Sequence, residues 1–491
     1  LTAPDATTVV VTGNAGLALA AGFNGALKVT SFNASAVTAG AVTYTTGALA
    51  AAATISGGAG NDTLSGAAAA IAGVTINGGA GNDIITGSAT KASTLNGDAG
   101  NDTITGGAAA DVMDGGAGTN TYVFSSANVV EQAGSGTTSG AAINLGAEAL
   151  TFSAVNAAVT GAFLANTQTS LASGTSTYLF NNESSTNASV VDTITNFQHV
   201  TGTDLADFIV GSAADNIITG GAGADVMQGG EGNDVFIIIG SGQAVNANAA
   251  IDLINGGAGT ADELRLSTAT TIAGTDILTR ITNVEKITSD ANAGVVSITI
   301  TAASWAGTAF TAIDLSGDTD ATSNNVISVS GVTTISTITG SAGIDAITHG
   351  ANAIAATLKG GLGVDTYTLG ATLAATVVIG TLDTGASVAT ADVITGFNTT
   401  VDKLSLGVAG TAGNFATANG AADEAAAIAA ANTAMNGTVK YYLATAIVAD
   451  LGAGANASSL LYIDADMDGT LDDVIQVVGT AGVVVAADII A

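Results

Sequence analysis

Short blocks of alternating apolar and polar residues recur along this chain, separated by stretches of glycine, alanine and asparagine. Thr-Leu-Ser at 63–65, Ile-Ile-Thr at 84–86 and Thr-Ile-Thr at 103–105 are examples. Alternation with period two predicts strands, and glycine-rich separators of nearly constant length predict tight turns that return the chain to begin the next strand. The same reading extends on both sides. TTVVVT, ALKVTSF and AVTYTT before residue 56, and ELRLS, ITNVEKIT, VVSITIT, NNVISVSG and VTTISTITG between 263 and 340, are spaced like rungs of a parallel β-helix. One segment has another character: DEAAAIAAANTAM from Asp423 is alanine-rich with acids in its first turn, and predicts a short helix. The expected fold is therefore all-β: a parallel β-roll or β-helix solenoid with a small C-terminal β-rich cap that contains the helix.

The turns carry the chemistry. GGAGNDTLS at Gly57 repeats as GGAGNDIIT at Gly78, GDAGNDTIT at Gly97, GGAAADVMD at Gly106 and GGAGTNTYV at Gly115, which puts Asp62, Asp83, Asp102, Asp111 and Asn120 at the sixth position. A second array runs without a gap from Gly202 through Gly211, Gly220 and Gly229, with Asp207, Asn216, Asp225 and Asp234 sixth. Glycines accept positive φ and present carbonyls at close range. A carboxylate at fixed phase completes a set of hard oxygen donors of the kind that selects calcium. The candidate ligands are thus the position-six residues together with the turn glycines Gly58, Gly60, Gly79, Gly81, Gly221, Gly223, Gly230 and Gly232.

In a two-stranded roll, alternate nonamers share a side, so one ion is held by position-six residues about 18 apart. In the first array Asp62, Asp83 and Asp102 are separated by longer, Asp-free copies at Gly66 and Gly87. They predict an ion row with Asn120 on one side, and Asp111 alone on the other. In the second array both pairs, Asp207 with Asp225 and Asn216 with Asp234, are in phase. Weaker echoes place Asp262, displaced by one residue, Asp345 and Asp365 as further candidates. DADMDGTLDD near the end puts Asp464, Asp466 and Asp468 at EF-hand-like spacing, but Ile475 stands where the bidentate Glu belongs, which favours an Asp-Gly hairpin turn.

Composition narrows the function classes. Forty acidic residues against eight basic ones give a net charge of −32. Such charge opposes compaction unless counter-ions bind, and leaves nothing basic to track nucleic-acid phosphates. The absence of cysteine excludes disulfides and thiol catalysis. No apolar run approaches the ~18 to 20 residues of a membrane span, and no basic-plus-apolar leader stands at the front.

The nonamers resemble those of the RTX (repeats-in-toxin) family. The resemblance implies calcium as a multiple cofactor, an extracellular location after type I secretion, and folding on meeting external calcium. DVITGFNTTVDKLSL and the D-x-D-x-D-G hairpin before an apolar end are similar to the family's C-terminal region, which carries an uncleaved secretion signal. A narrower resemblance covers the first 90 or so residues: VVVTGNAGLALA, VTSFNASAVTAGAVTY and ISGGAGNDTLSG look like Caulobacter-type surface-layer (S-layer) proteins. It implies a structural protein of the bacterial cell surface that partners with itself in a calcium-dependent two-dimensional lattice, and attachment to lipopolysaccharide through a region not in this chain. Departures from the pattern at Ala92, Asn120 and Asn216 weaken the neighbouring ions.

Repeats of the RTX family also ride on enzymes. His199 and His349 form no His-Glu-x-x-His, and no Gly-x-Ser-x-Gly elbow occurs. The alternative enzyme is a lyase-like β-helix using Arg265, Arg280 or Lys286 near Asp262 and Glu263; an adhesin is the other alternative. Trp305 reads as a packed rung residue.

The expected domains are N-terminal rungs over 1–56, a first roll over 57–124, a β-rich insertion over 125–201, a second roll over 202–266, a β-helix with degenerate repeats over 267–370, and a cap over 371–491.

Overall fold

The computed structural model describes residues 6–19, 29–49, 51–69, 72–124, 138–151, 170–180, 190–240, 252–276, 278–302, 308–350, 354–370, 374–380, 388–419, 421, 424–435, 437–445, 458–478 and 484–491. Two compact units emerge: the first comprises Leu1–Ile238, Ile251–Asp262 and Arg280–Asn283, the second Ile239–Ala250, Glu263–Thr279 and Val284–Ala491. Each is built mostly of parallel strands, in agreement with the solenoid read from the alternating blocks.

In the first unit one row runs through Leu17–Leu19, Val42–Thr45, Thr63–Ser65, Ile84–Thr86, Thr103–Thr105, Thr121–Val123, His199–Thr201, Ile217–Thr219 and Val235–Ile238, each strand parallel to the next. A second row runs through Thr8–Gly13, Ser31–Val37, Ala53–Ser56, Val74–Ala80, Thr94–Ala99, Val112–Asp114 and Val191–Thr195. There it changes character. Thr175–Phe180 pairs antiparallel with Val191–Thr195, and Thr138–Asn144 pairs antiparallel with Thr175–Phe180. Parallel pairing then resumes through Phe208–Val210, Val226–Glu231, Leu253–Ala258 and Ile281–Thr282. Thus Thr138–Asn144, Thr175–Phe180 and Val191–Thr195 extend one row, Leu150–Thr151 and Ser170–Leu171 pair only with each other, and the other row passes directly from Thr121–Val123 to His199–Thr201. The two nonamer arrays belong to one stack.

The second unit repeats the plan. One row contains Glu263–Leu266, Lys286–Ser289, Ala312–Asp314, Thr337–Thr339, Ala356–Lys359, Ala375–Val378, Lys403–Ser405 and Ile489–Ile490. The other contains Thr271–Ile272, Ser297–Thr301, Asn324–Ser330, Ile344–His349, Thr366–Leu369, Asp392–Thr395 and Asp473–Val478. Beyond the last strand, Ser458–Ile463 adds antiparallel, Tyr441–Thr445 antiparallel to that, and Phe415–Asn419 parallel to Tyr441–Thr445. The helix spans Glu424–Ala434, and places Ala427 and Ala431 in a cluster with Ala391, Tyr442, Leu460, Tyr462 and Val474. Alanines on that face let the helix approach the sheet closely. The Asn181–Asn187 loop and Trp305 lie outside the described residues.

The middle residue of each three-residue block points inward and stacks on its counterpart one turn away. Leu64, Ile85, Ile104, Tyr122, Val200, Ile218 and Phe236 form one such file, and Ile55, Ile76, Leu95, Met113 and Ile194 the facing one, all buried. This explains why a sequence with few aromatics makes a solid core: each rung contributes a few mid-sized side chains, each worth ~1.5–3 kcal/mol when buried.

The strand Ile84–Thr86 provides a control within one rung, because Ile85 is 0% exposed and Ile84 is 54% exposed. Ile85→Ala is expected to cost ~2–5 kcal/mol of unfolding free energy in calcium by leaving a cavity, and Ile84→Ala less than ~0.5 kcal/mol. Denaturant unfolding of the two variants checks this.

Candidate metal centre

Every position-six residue named from the sequence is buried: Asp62, Asp83, Asp102, Asp111, Asn120, Asp207, Asn216, Asp225, Asp234, Asp262, Asp345 and Asp365. They sit at the junction of turn and strand, where the backbone ladder would otherwise break. The residue's carbonyl still accepts from the next turn, as Asp62 does from Ile84 N–H at 2.8 Å. Its own N–H instead donates to a side-chain oxygen one full turn on. Val42 donates to Asp62 Oδ1 at 2.7 Å, Asp62 to Asp83 at 2.7 Å, Asp83 to Asp102 at 2.8 Å, Asp102 to Asn120 at 2.9 Å, and Asn120 to Gln198 Oε1 at 2.8 Å. The row resumes with Asn216 donating to Asp234 at 2.8 Å and Asp234 to Asp262 at 2.7 Å.

The opposite side has its own row. Ser93 donates to Asp111 at 2.6 Å and Asp111 to Asp192 at 2.9 Å. After the antiparallel strands, Ala141 donates to Asp207, Asp207 to Asp225 at 2.8 Å, and Asp225 to Asp252 at 2.8 Å. In the second unit Asp345 donates to Asp365 at 2.8 Å, Asp365 to Asp392 at 2.7 Å, and Ala375 to Asp402 at 2.8 Å.

The second carboxylate oxygen divides these residues into two kinds. In Asp62, Asp111, Asp207 and Asp345 it accepts from the backbone N–H of position two, namely Gly58, Gly107, Thr203 and Ser341. In Asp83, Asp102, Asp225 and Asp234 no donor among the described residues reaches the buried Oδ2. A dry carboxylate oxygen without a donor is costly, several kcal/mol for the ionised group.

Burial accordingly pushes these acids up. Asp225 rises to about 9, through burial first and then the charges of Asp252 and Asp207. Asp83 and Asp234 rise to about 7, again chiefly through burial. Asp207, Asp192 and Asp252 also reach about 7 for the same leading reason. At Asn120 and Asn216 the amide Nδ2 supplies the missing donor: it bonds Asn196 O at 3.0 Å in the first case, and Gln198 O in the second. There a hydrogen bond does what an ion would do by coordination.

The turns hold those oxygens in place. A methyl group on Gly57, Gly78, Gly97, Gly220 or Gly229 would overlap Oδ2 of its own repeat's Asp, so the first glycine is the wall against which the carboxylate lies. Gly79 and Gly81 have φ of 111° and 115°, and stack on the carbonyls of Gly58 and Gly60 one turn earlier. Gly221, Gly223, Gly230 and Gly232 repeat this geometry. Half-satisfied carboxylates beside stacked carbonyls, all hard oxygens, fit calcium.

Four segments, residues 52–70, 74–89, 92–122 and 201–236, match the family model of the RTX calcium-binding nonapeptide repeat. The chain carries RTX repeats. Such repeats bind calcium at multiple sites, and the matched segments contain both nonamer arrays. The chain matches no curated protein.

The rows also contain residues that belong to no whole nonamer: Asp192, Asp252, Asp392 and Asp402. Each keeps the second half of the repeat, Asp-x-apolar-x, as in Asp192-Thr-Ile-Thr and Asp392-Val-Ile-Thr, after the glycine half is gone. Asp262, one residue late in its nonamer, nonetheless enters the row, and the turn absorbs the extra residue.

Arg265 pairs with Glu263 at 2.8 Å and lies 3.8 Å from Asp290, Lys286 stands opposite Glu263 in the strand register, and Arg280 belongs to the first unit, where its charge acts on Asp252. His199 Nδ1 accepts from Ile217 N–H at 2.9 Å within its row, and His349 is buried in a strand of the second unit. Asp464, Asp466 and Asp472, rather than Asp468, bring carboxylate oxygens within 4.8 Å of one another in the loop of a hairpin. Asp464 accepts there from the N–H groups of Asp468 and Gly469.

Two outcomes follow for the protein in solution. Asp225→Asn should lower the melting temperature in calcium more than Asp111→Asn, because Asp111 has donors on both oxygens and Asp225 on one; paired thermal melts check the order. Without calcium, the raised folded-state values stabilise the fold below the ordinary carboxylate value of 3.8, and that contribution is lost as pH rises through about 7, with Asp225 extending the loss to about 9. Chelated protein should therefore melt lower at pH 8 than at pH 5, and the stabilisation by calcium should grow over the same interval.

Proposed function

We propose that this chain is a structural surface-layer protein, exported unfolded by type I secretion, that folds in external calcium and assembles with copies of itself into a lattice on a bacterial cell. The observation that carries the calcium-dependent step is the set of buried, half-satisfied carboxylates at Asp83, Asp102 and Asp234 in one row and Asp225 in the other. In calcium-poor cytosol these charges have no counter-ion, and folding would bury them unpaired. Outside, millimolar calcium exceeds the ~0.1–1 mM dissociation constants typical of extracellular modules, so ion binding and folding proceed together. RTX repeat proteins are typically secreted, which suits this order of events. The lattice rests on the phrases VVVTGNAGLALA and VTSFNASAVTAGAVTY, which resemble Caulobacter-type surface-layer proteins.

A structural role is favoured over a lyase at Arg265, which is engaged with Glu263; Arg280, with a buried Nε that has no partner among the described residues, is the lyase candidate that remains. Attachment to lipopolysaccharide would be the task of a region not in this chain. Electron microscopy of the purified protein at millimolar calcium should show ordered sheets that dissolve when a chelator is added. Monodisperse monomers under the same conditions would count against the lattice, and lyase activity abolished by Arg280→Ala would favour the enzyme.

A further inference from the structure

One buried acid stands apart from the position-six rows. Asp318, in the loop between the strands Ala312–Asp314 and Asn324–Ser330, is 0% exposed. Its sequence, Leu-Ser-Gly-Asp-Thr-Asp-Ala, suggests a surface group able to reach a neighbouring molecule through calcium, together with Asp314 and Asp320. The structure separates the three. Asp314 accepts from its own Ser316, Asp320 from Thr322, and Asp318 turns into the interior.

Oδ1 of Asp318 accepts from Asp320 N–H at 3.0 Å, and no donor among the described residues reaches Oδ2. Ser323, 2% exposed, ends the same short loop with its N–H on Asp320 O at 3.1 Å, and its buried hydroxyl Oγ is also without a partner. The loop lies directly on the turn that leads to Asp345. Ala342 N–H donates to Asp318 O at 3.1 Å and Ile344 N–H to Ser323 O at 2.9 Å, while a Cβ on Gly343 would collide with Ser323 O. Asp345, itself fully buried, is close enough for the charge of Asp318 to act on it.

Two buried carboxylates on stacked turns, one with a bare oxygen, call for a counter-ion. Asp318 Oδ2 and Ser323 Oγ belong to the same 318–323 loop, both are buried without a partner among the described residues, and a carboxylate and a hydroxyl oxygen are hard ligands of the kind calcium takes. We propose that Asp318 and Ser323 form a calcium site of the second unit, outside residues 52–236 and outside the nonamer pattern, which pins the 318–323 loop to the Asp345 turn.

The test uses the full chain at saturating calcium, with bound ions counted by native mass spectrometry and their release followed in a chelator titration. Asp318→Asn should bind one calcium fewer than the parent. Ser323→Ala should keep its fold and release one ion roughly tenfold more readily. An unchanged count in Asp318→Asn, with a higher melting temperature of its calcium-free form, would mean a protonated buried acid and overturn the site. If Asp318→Asn fails to fold, Ser323→Ala decides alone: an unaltered release profile overturns the proposal. Asp225→Asn should lose calcium from the nonamer array and keep the Asp318 ion. A parent protein that binds no calcium would instead refute the calcium-dependent fold, so the two failures are distinct.

Discussion

The structure depends on a side chain that substitutes for backbone. Where each turn meets its strand, the N–H of position six has no carbonyl opposite it, and an aspartate one turn on supplies Oδ1 in its place. The ladder therefore runs on through the turn edge, and the strand that follows starts in register. The cost is a carboxylate inside the protein wherever that residue is an aspartate. Each rung also stacks only one mid-sized apolar residue on its neighbour in each file, so packing leaves little margin to absorb uncompensated charge. Cation binding and rung formation are consequently coupled: the group that fixes register is the group that needs the ion.

The two kinds of aspartate show how the coil handles that cost. At Asp62, Asp207 and Asp345, which open their runs, the turn bends so that the position-two N–H reaches Oδ2. Within a run, at Asp83, Asp102, Asp225 and Asp234, position two (Gly79, Asp98, Gly221 and Gly230) has positive φ, and that oxygen is left bare. Asparagine offers a third solution, donating from Nδ2 where the ion would sit. The rows are thus mosaics of self-capped, ion-requiring and amide-closed rungs, and calcium demand falls on the rungs that follow the first of a run.

Much of this was legible in the sequence because the repeat couples two independent signals, glycine phase and strand alternation. Position six could be named residue by residue, down to the 19- and 21-residue steps around the degenerate copies, since a longer outer loop does not disturb the row. Less visible were Asp192, Asp252, Asp392 and Asp402. Their glycine halves had drifted, and only the Asp-x-apolar-x half, too short to be distinctive, remained. The depth of Asp318 was hidden for a different reason: an acid in a polar loop reads as exposed, and only the stacking of that loop on the Asp345 turn takes it out of water. The continuity of the two arrays was equally hidden, because the intervening segment gives no hint that it serves one row and bypasses the other.

That bypass has a wider consequence. Because Thr121–Val123 hands its register directly to His199–Thr201, the coil is propagated across the interruption by one edge alone, and the antiparallel strands on the other edge are passengers on a template they do not set. A solenoid organised this way can acquire or exchange whole loops on one face without losing phase on the opposite face, which separates the evolution of what the coil displays from the evolution of what holds it together.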